Sequence, residues 1–482
     1  MTGHQQAWEI LVENREAVVA ALERGECAGI LPAVRGFVDG FAGFLLEAGV
    51  LDVMEEYPDH RERRPIPMLF FCNTLVYRPL FRLERMAPIE RTLFRSPYIL
   101  RRMGFNALQI EEGFYQTPAG QRPFRAQAIA DCFSRSKAED FLTHQKPVLK
   151  QLAEYCPAQF LQGLWAMDSI HFHVPKGAHT EAIDFKVCVL GVWQDTVVWP
   201  MIWAFVGDPE NETVVGKRVF AAAEEALGEG AIRHLLIDRG YLDGPWLTKL
   251  YERGTQVTIG VKEKMLILEE MHNLSRLSDA EWMEVDPPKV HDQLVPQRAV
   301  TGITDLQNEW AGCEAPLCGC LIRDTYPDRV VYQGLVTTAS TTTAVDILND
   351  NGMRWTLEEV FMTLTRYWDL DNLPPCRQGV AYALVHFALN AITWLGFYLQ
   401  ETEAGDDIST WNLAPPSLLL PERELADYAG HYFALLRPSE LLEIILEHVD
   451  AWKANQSTLL MVLRSCEGGT YNQCSCSLAT VG

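Results

Sequence analysis

The order of strand-like and helix-like segments between residues 164 and 262 is the feature that most restricts how this chain can fold. Three β-type runs come first, rich in branched and aromatic residues and separated by short connections. A helical segment ending at glycine follows, and then a strand, a helix and a further strand. This order predicts an α/β fold with a mixed sheet flanked by helices. The segments read LWAMDSIHFHV, FKVCVLGVWQD, VVWPMIWAFVG, NETVVGKRVFAAAEEALGEG, IRHLLIDRG, a helix at about 244–253, and TQVTIGVK.

The flanking segments predict a division of the chain into five parts. A length of 482 residues is long for one domain. Helical periodicity dominates before the core, while the region after it holds short strands, a proline pair and little helical pattern. We therefore expect a helical N-terminal region over residues 1–160, core segments over 161–261 and 351–400, a β-rich insertion over 262–350, and a C-terminal helical region with a loose tail over 401–482.

The cysteines, the N-terminus and the longest apolar run predict a cytoplasmic protein without membrane contact. Twelve cysteines are spread thinly, and the first residues, MTGHQQAWEI, lack the basic and apolar regions of a secretory signal. The segment from Gly379 to Leu399 has no charged residue and is nearly long enough to span a bilayer. His386 and Asn390 interrupt it, and no second span is present. A buried core helix is therefore expected.

Charge is distributed unevenly along the chain. The net charge is -23, which argues against general affinity for nucleic acid. Between His60 and Arg125, however, there are twelve arginines and no lysine, against five glutamates and no aspartate. A basic segment in an acidic protein is typical of a surface that contacts a phosphate backbone, although a solvated helical face would give the same pattern. Arg101 and Arg102, on the basic side of SPYILRRMGF, are candidate DNA-binding residues.

Two aspartates in the core segments are candidates for metal-assisted chemistry. Asp168 lies within the first strand, and Asp238 ends the fourth, after the apolar run Leu235 to Ile237. The fourth strand can lie beside the first in a sheet of this order, which would bring the two carboxylates together. Adjacent carboxylates repel each other unless a cation lies between them, and oxygen ligands suit Mg²⁺ or Mn²⁺. Glu358, on a later helix, could supply a third carboxylate.

The segments AMDSIHF, LLIDRGYLDG and LVTTAS…RWTLEEVF resemble the DDE transposases of bacterial insertion sequences, in the insertion sequence four group. The resemblance covers residues 160–400 well and the N-terminal region more loosely. It implies an RNase H-like catalytic core, interrupted by a β-rich insertion ahead of the helix that carries the last carboxylate. The spacing fits this scheme, with 70 residues from Asp168 to Asp238 and 120 from Asp238 to Glu358.

The resemblance assigns roles to individual residues. Asp168, Asp238 and Glu358 match the catalytic, metal-binding triad, and Arg239 matches the arginine that usually follows the second aspartate. Arg354 fits the arginine four residues before the glutamate, which also favours Glu358 over the neighbouring Glu359 as the ligand. Two positions depart from the family. Asn351 replaces a tyrosine, and Thr365 replaces a lysine that contacts DNA, so the adjacent Arg366 is the candidate for that contact.

The resemblance implies a DNA transposase that cuts element ends and joins them to target DNA by two-metal phosphoryl transfer. Mg²⁺ is the expected cofactor, with Mn²⁺ as a substitute, and a homodimer is expected in the DNA complex, associated with the nucleoid. Two other functions stay open. A domesticated transposase would bind DNA only, as the acidic balance and the missing tyrosine and lysine would suit, and a metal-dependent nuclease would cleave without strand transfer.

Three further groups of residues have weaker claims to function. His171 and His173 alternate on the first strand, so both face one way, either as a transition-metal site or as strand residues at the rim of the active site. Trp282 and Trp310 lie in the insertion, where the family can use an aromatic residue to stack a flipped base. Zinc could be held by a set of cysteines whose spacing is not that of paired CxxC motifs: Cys313, Cys318, Cys320, Cys466, Cys474 and Cys476.

Overall fold

A large mixed sheet is the main element of the structure. The computed structural model describes residues 8, 11–34, 37–83, 85–114, 123–157, 160, 163–194, 196–207, 210–277, 280–287, 297–306, 310–340, 342–401 and 423–454. The chain divides into two units, the first made of residues 1–132 and 397–482 and the second of residues 133–396.

The described residues form strands in both units. The strands are β1 (Val12–Glu13), β2 (Gly29–Val34), β3 (Leu164–Val174), β4 (Ile183–Gln194), β5 (Val197–Val206), β6 (His234–Ile237), β7 (Gln256–Gly260), β8 (Met283–Val285), β9 (Gln297–Leu306), β10 (Leu317–Thr325), β11 (Val330–Thr337), β12 (Arg423–Ala429) and β13 (Tyr432–Leu436).

Helices of very different length connect and cover these strands. The α-helices are α1 (Arg15–Glu23), α2 (Phe37–Glu47), α3 (Val50–Glu55), α4 (Met68–Leu80), α5 (Ala87–Arg91), α6 (Pro97–Arg102), α7 (Ala107–Glu112), α8 (Gln127–Phe133), α9 (Ala138–Tyr155), α10 (Glu212–Leu227), α11 (Gly244–Glu252), α12 (Leu266–Leu274), α13 (Ala344–Met362), α14 (Gln378–Glu401), α15 (Pro438–Glu447) and α16 (Val449–Lys453). Short 3-10 turns lie at Leu93–Arg95, Arg239–Tyr241 and Leu370–Asn372, and a π-helical turn at Thr363–Tyr367.

The second unit confirms the predicted fold class. Its nine strands form one sheet in the order β5-β4-β3-β6-β7-β11-β10-β9-β8. Strand β3 is antiparallel to β4 and parallel to β6. The first and fourth strands of the core, β3 and β6, are therefore neighbours, as predicted. The segment β5-β4-β3-β6-β7 is the part of the sheet that the sequence resemblance predicts as an RNase H-like core, with helices against it.

Helices cover both faces of this core. Successive side chains of a strand point to opposite faces of its sheet. Met167 of β3 faces α10, since a methyl group built on Gly216 of that helix would lie 3.0 Å from the Met167 sulfur. The next residue, Asp168, contacts Arg354 of α13. The sheet therefore lies between α10 on one face and α13 on the other.

The β-rich region extends the core sheet. Strand β11 pairs with β7, with Val336 opposite Ile259, and β10, β9 and β8 follow outward. The region also contains the helix α12, which the sequence reading of residues 262–350 did not anticipate. Because β11 continues the hydrogen-bond ladder of β7, the insertion and the core share one sheet, and the helix α13 packs on both.

The first unit contains a four-stranded sheet that the expectation of helical terminal regions missed. Its order is β1-β13-β12-β2, so segments from both ends of the chain pair with each other. Strand β2 contains Pro32, which argues against a strand in sequence, but β2 lies at the edge of the sheet, where proline is tolerated. An apolar cluster joins the sheet to its helices: Val18, Leu22, Ile30, Ala434, Leu436, Leu441, Ile445 and Trp452.

The apolar helix α14 is a buried helix, as predicted. It is long and apolar enough to cross a membrane by length and composition, and its most apolar window is 100% buried in the structure. The two polar residues that interrupt the run, His386 and Asn390, are each 0% exposed, and the side-chain amide of Asn390 donates to the backbone carbonyl of His386 at 3.2 Å. Buried polar side chains that are hydrogen-bonded in this way are typical of a protein core.

Candidate active site

The two aspartates lie side by side on neighbouring strands. Met167 of β3 pairs with Ile237 of β6 in parallel register, so Asp168 and Asp238 are each the next residue along. The backbone amide of Asp238 donates to the carbonyl of Met167 at 3.2 Å, which continues the ladder by one bond beyond β6. The register of these strands therefore fixes the two carboxylates at the same level of the sheet.

The helix α13 brings the third carboxylate and a guanidinium to the same place. Nη1 of Arg354 contacts Oδ2 of Asp168 and lies 3.2 Å from Oε1 of Glu358 and 3.8 Å from Oδ1 of Asp238. The helix is held to the sheet near this point, because the backbone amide of Val198 donates to the Thr356 hydroxyl at 3.0 Å. Three carboxylates from three separate elements thus meet at one buried cation.

Burial makes this cluster electrostatically demanding. Asp168 is 8% exposed, and burial raises the pKa of its carboxyl to about 7. The Arg354 guanidinium opposes this rise in the pKa of Asp168, while the charges of Asp238 and Glu358 add to it. Burial also raises the pKa of Glu358. Three acids in so small a volume stay ionised only with a cation among them.

Oxygen donors of this kind fit Mg²⁺ or Mn²⁺, although Arg354 now takes the central position. The three carboxylates supply only the oxygen ligands that these hard cations prefer. Within the described ranges, no three His, Cys, Asp or Glu side chains are grouped at metal-binding geometry. At this site the three carboxylates are arranged around Nη1 of Arg354, and its guanidinium balances part of their charge.

The turn after Asp238 explains why Arg-Gly-Tyr follows it. The backbone amide of Gly240 donates to Oδ2 of Asp238 at 2.9 Å, which holds the carboxylate at the head of the turn. Tyr241 is 1% exposed, and its hydroxyl hydrogen-bonds with the Ser169 hydroxyl on β3. Its ring lies against Gly216, where a methyl group would approach to 2.7 Å. Tyr241 therefore anchors the Asp238 turn to the strand that carries Asp168.

A fourth carboxylate, Glu212, lies beside this turn and was not identified from the sequence. Its Oε1 is 3.9 Å from the position that a methyl group on Gly240 would take. Nζ of Lys186, on β4, lies 2.8 Å from the other oxygen of Glu212. The only signal in the sequence is that Asn211 begins a helix, which places an acid in its first turn.

The predicted arginines of the second unit, apart from Arg354, are exposed. Arg239 follows Asp238 and Arg366 follows α13, and neither forms an ion pair within the part of the chain that the structure describes. Arg366 lies in the π-helical turn, while the Thr365 hydroxyl donates to the carbonyl of Phe361 at 2.9 Å. Glu359, the rival of Glu358, is exposed as well.

In the first unit, Arg102 does not have the exposed position that was expected of it. It is 2% exposed, its Nη1 donates to the carbonyl of Leu11 at 3.2 Å, and its guanidinium lies 3.7 Å from the ring centre of Phe433. The charge of Arg102 is used inside the unit, which argues against the predicted contact with DNA. Arg101 is half-buried and donates to the carbonyl of Phe105. Other arginines of the basic segment are exposed: Arg63, Arg64, Arg82, Arg85, Arg91, Arg95 and Arg125.

The histidines and tryptophans with weaker claims to function differ in their surroundings. His171 and His173 do face the same way, since Nε2 of one and Nδ1 of the other lie 3.6 and 2.9 Å from Oδ1 of Asp184. Trp310 is 9% exposed, which makes it unavailable for stacking, whereas Trp282 is half-buried with the Arg323 guanidinium 4.2 Å from its ring centre.

The structure describes only some of the cysteines that were considered as zinc ligands. Cys313 and Cys320 are buried and belong to no metal-binding group in the described ranges. Cys466, Cys474 and Cys476 lie outside the described residues.

Comparison with known proteins gives distant structural matches. No family model matches the chain, and no curated protein matches it. Among solved structures, a piggyBac transposase synaptic complex with hairpin DNA matches with a TM-score of 0.41 and 11% sequence identity, over 81% of this chain and 82% of that chain. The chemistry of the site is therefore the basis for assigning a function.

Proposed function

We propose that this protein is a DNA transposase that cuts the ends of an element and joins them to target DNA by metal-assisted phosphoryl transfer. The observation that carries the proposal is the meeting of Asp168, Asp238 and Glu358, from β3, the end of β6 and α13, at one buried point. The order of these acids along the chain and the sheet that positions them agree with what the sequence resemblance implies. We also propose that this transposase belongs to the insertion sequence four group of bacterial transposases.

Asp168, Asp238 and Glu358 would hold the catalytic Mg²⁺ or Mn²⁺. Bound there, the metal supplies Lewis acidity to activate a water or a DNA 3′-hydroxyl and to neutralise charge on the scissile phosphate. Reactions of this type need no protein nucleophile. The residues of the chain therefore have to hold ligands, position DNA and balance charge.

Individual residues of the chain perform these tasks. The amide of Ser169 donates to Oδ1 of Asp168 at 2.7 Å, and the amide of Gly240 holds Asp238, so both carboxylates have fixed directions. Fixed ligands matter because small displacements of reacting groups cost much of the rate. The exposed cations Arg239 and Arg366 would contact DNA phosphates.

The partners in this proposal are two DNA segments and a second copy of the chain. Element ends and target DNA are strongly negative, so binding them would require exposed cations on the protein. The exposed arginines of the basic segment in the first unit are one candidate surface for this contact. A homodimer would let two copies act on the two ends of one element, and we propose that assembly for the DNA complex.

The decisive experiment uses duplexes made from the inverted repeats that flank the gene. Labelled duplexes are incubated with the full chain, Mg²⁺ or Mn²⁺ and a supercoiled plasmid, and both strand cleavage and joined products are measured. Asp168→Asn, Asp238→Asn and Glu358→Gln should each reduce cleavage at least a thousandfold and leave binding of the duplex within about threefold. Cleavage together with joining supports the transposase.

Other results would assign the other functions. Cleavage without joining would identify a metal-dependent nuclease. Specific binding without cleavage in either metal would identify a DNA-binding protein derived from a transposase. One observation favours this second candidate, namely that Arg354 occupies the centre of the carboxylate cluster, while Asn351 and Thr365 stand at the family's tyrosine and lysine positions.

A further inference from the structure

Arg354 is a buried cation that contacts every carboxylate of the candidate site. Its side chain is 7% exposed, and Nη1 is within 4 Å of an oxygen from each of Asp168, Asp238 and Glu358. Among the ion pairs of the described ranges, no other cation pairs with these three acids. The charge balance of the cluster therefore depends on one side chain.

A divalent cation and this guanidinium compete for the same oxygens. Mg²⁺ binds carboxylate oxygens at about 2.0–2.1 Å, so an ion held by Asp168 and Asp238 would lie within a few ångströms of Nη1. Two cations that close in a buried site repel each other strongly. Oδ2 of Asp168 is already in contact with Arg354, and its other oxygen accepts from the Ser169 amide. A metal that enters among these oxygens would therefore compete with Arg354 for them.

The neighbouring Trp355 offers the guanidinium a second position. Trp355 is 55% exposed, which is unusual for so large an apolar side chain, and Cζ of Arg354 already lies 5.7 Å from its ring centre. A guanidinium stacks favourably on an indole ring at such distances. Rotation of the long Arg354 side chain toward solvent would keep this contact while releasing the carboxylates.

We infer that Arg354 acts as an exchangeable counter-ion: it stabilises the metal-free cluster, weakens metal binding, and is displaced when the metal enters. The inference rests on the proposed function, since it takes the three carboxylates as metal ligands. It makes Arg354 a regulator of metal occupancy, separate from any contact with DNA.

Mn²⁺ binding to the full chain without DNA tests this inference. Free Mn²⁺ is followed by electron paramagnetic resonance during titration, and the midpoint of thermal unfolding is recorded with and without the ion. Arg354→Gln should bind Mn²⁺ at least tenfold more tightly than the native chain, and its metal-free form should unfold at a lower temperature. Mn²⁺ should then raise that temperature more than in the native chain.

Two variants make the result specific. Arg239→Gln removes the same charge next to Asp238 from an exposed side chain without an ion pair to the cluster, so its Mn²⁺ affinity should change less than threefold. Asp168→Asn removes a ligand and should abolish the strongest Mn²⁺ site. Equal affinity of the native chain and Arg354→Gln, with binding still lost in Asp168→Asn, would overturn the counter-ion role and leave the metal site intact.

Failure of the proposed function would look different. If Asp168→Asn binds Mn²⁺ as the native chain does, the carboxylates are not the ligands, and both proposals fall together. Arg354→Lys covers the case in which Arg354→Gln does not fold. A lysine keeps one charge but cannot contact three carboxylates at once, so Mn²⁺ should bind about threefold more tightly than to the native chain. No tightening in a folded Arg354→Lys would also overturn the inference.

Discussion

Glu358 and Glu359 are adjacent glutamates with very different surroundings. Oε1 of Glu358 lies 3.2 Å from Arg354 and its pKa is raised by burial, whereas Glu359 is exposed. We expect Glu358→Gln to abolish cleavage of end duplexes, while Glu359→Gln keeps activity within about twofold. The two variants remove the same charge one residue apart, so each controls for the other. Loss of cleavage in Glu359→Gln, with cleavage kept in Glu358→Gln, would show that Glu359 and not Glu358 is the metal ligand.

Tyr241 is predicted to position Asp238 through its hydroxyl. Tyr241→Phe keeps the packing of the ring on Gly216 and removes the hydrogen bond to Ser169. The turn that carries Asp238 should loosen, and cleavage should fall about tenfold, which corresponds to about 1.4 kcal/mol of barrier. Because the effect concerns a metal ligand, the Mg²⁺ concentration for half-maximal cleavage should rise as well.

Tyr251→Phe is the matched control for this prediction. Tyr251 is 43% exposed on α11, so loss of its hydroxyl should change neither the rate nor the Mg²⁺ dependence. If Tyr241→Phe lowers thermal stability but leaves the Mg²⁺ dependence unchanged, the hydroxyl contributes to stability only and does not position the site.

Predictability from sequence differs sharply among these residues. Asp168 and Asp238 could be placed together because strand order alone makes β3 and β6 neighbours. The contacts of Arg354 with Asp168 and Asp238 could not be predicted, since they depend on how its side chain is oriented toward two carboxylates distant in sequence. Glu212 escaped notice for the same reason: an acid in the first turn of a helix is ordinary until the sheet places it beside the Asp238 turn.

At the level of elements, the π-helical turn at the end of α13 changes the register of Arg366. The amide of Trp368 donates to the carbonyl of Thr363 at 3.0 Å, five residues back instead of four. A turn of this kind holds one residue more than an α-turn, and such turns are frequent at functional sites. Arg366 lies within this widened turn, where each residue turns the helix by less than in an α-helix, so we expect its side chain to point closer to the face that position 365 has in an uninterrupted helix.

This displacement predicts how cations at the two positions behave. Arg366→Ala should lower cleavage tenfold or more, about 1.4 kcal/mol of barrier, while Thr365→Lys should have little effect. The double variant Thr365→Lys with Arg366→Ala should stay as slow as Arg366→Ala alone, because the new lysine would lie off the required face. Rescue by the double variant, measured as initial cleavage rate, would argue that the helix continues in α register under reaction conditions.

The helix α14 carries a buried histidine that makes the stability of the second unit depend on pH. The Trp203 indole donates to Nδ1 of His386 at 3.0 Å, so the proton of the neutral ring lies on Nε2, 2.9 Å from Nδ1 of His144. Burial lowers the pKa of His386 well below its ordinary value, and His144 adds to this effect. A second proton on His386 would break the bond from Trp203.

The sign of the pH effect follows from this lowered pKa. Below about pH 6.5 the unfolded chain binds a proton at His386 that the folded chain does not, so this stability is present above that pH and lost as pH falls. The loss should approach 1.4 kcal/mol per pH unit for this residue. In His386→Gln, which can still accept from Trp203, the fall in urea midpoint between pH 7.5 and 5.5 should be smaller. An unchanged pH dependence in that variant would mean that other groups cause the loss.

Elements were predictable where the signal is local. The strands and helices of the core, from β3 to β7, follow from residue type and short connections. Strands β1, β2, β12 and β13 did not, because their sheet joins segments about 400 residues apart and no local pattern identifies such partners. The π-helical turn was equally hidden, since its sequence, TLTRY, differs in no obvious way from an ordinary helix end.

For the whole molecule, the basic segment separates into arginines that stabilise the first unit and arginines that are available to a partner. Arg78 and Arg102 are 3% and 2% exposed, while Arg91 and Arg95 are exposed on neighbouring short helical segments. Composition alone treats these residues as equivalent. Under the proposed function, a chain with a net charge of -23 would approach DNA through a surface where cations are concentrated, and the exposed members are the candidates for that surface.

The last prediction separates these two roles. Arg91→Ala with Arg95→Ala should weaken binding to a duplex and reduce the slope of log affinity against log salt by about one to two units, with thermal stability unchanged. Arg102→Ala should instead lower stability, because Asp39 and the carbonyl of Leu11 lose their buried partner.

Lys150→Ala with Lys453→Ala, two exposed lysines elsewhere, controls for the change in net charge and should leave the slope unaltered. Fluorescence polarisation over a range of salt concentrations measures the slope. If the arginine pair and the lysine pair behave alike, the DNA surface lies outside the basic segment, and the exposed Arg239 and Arg366 of the second unit become the residues to test.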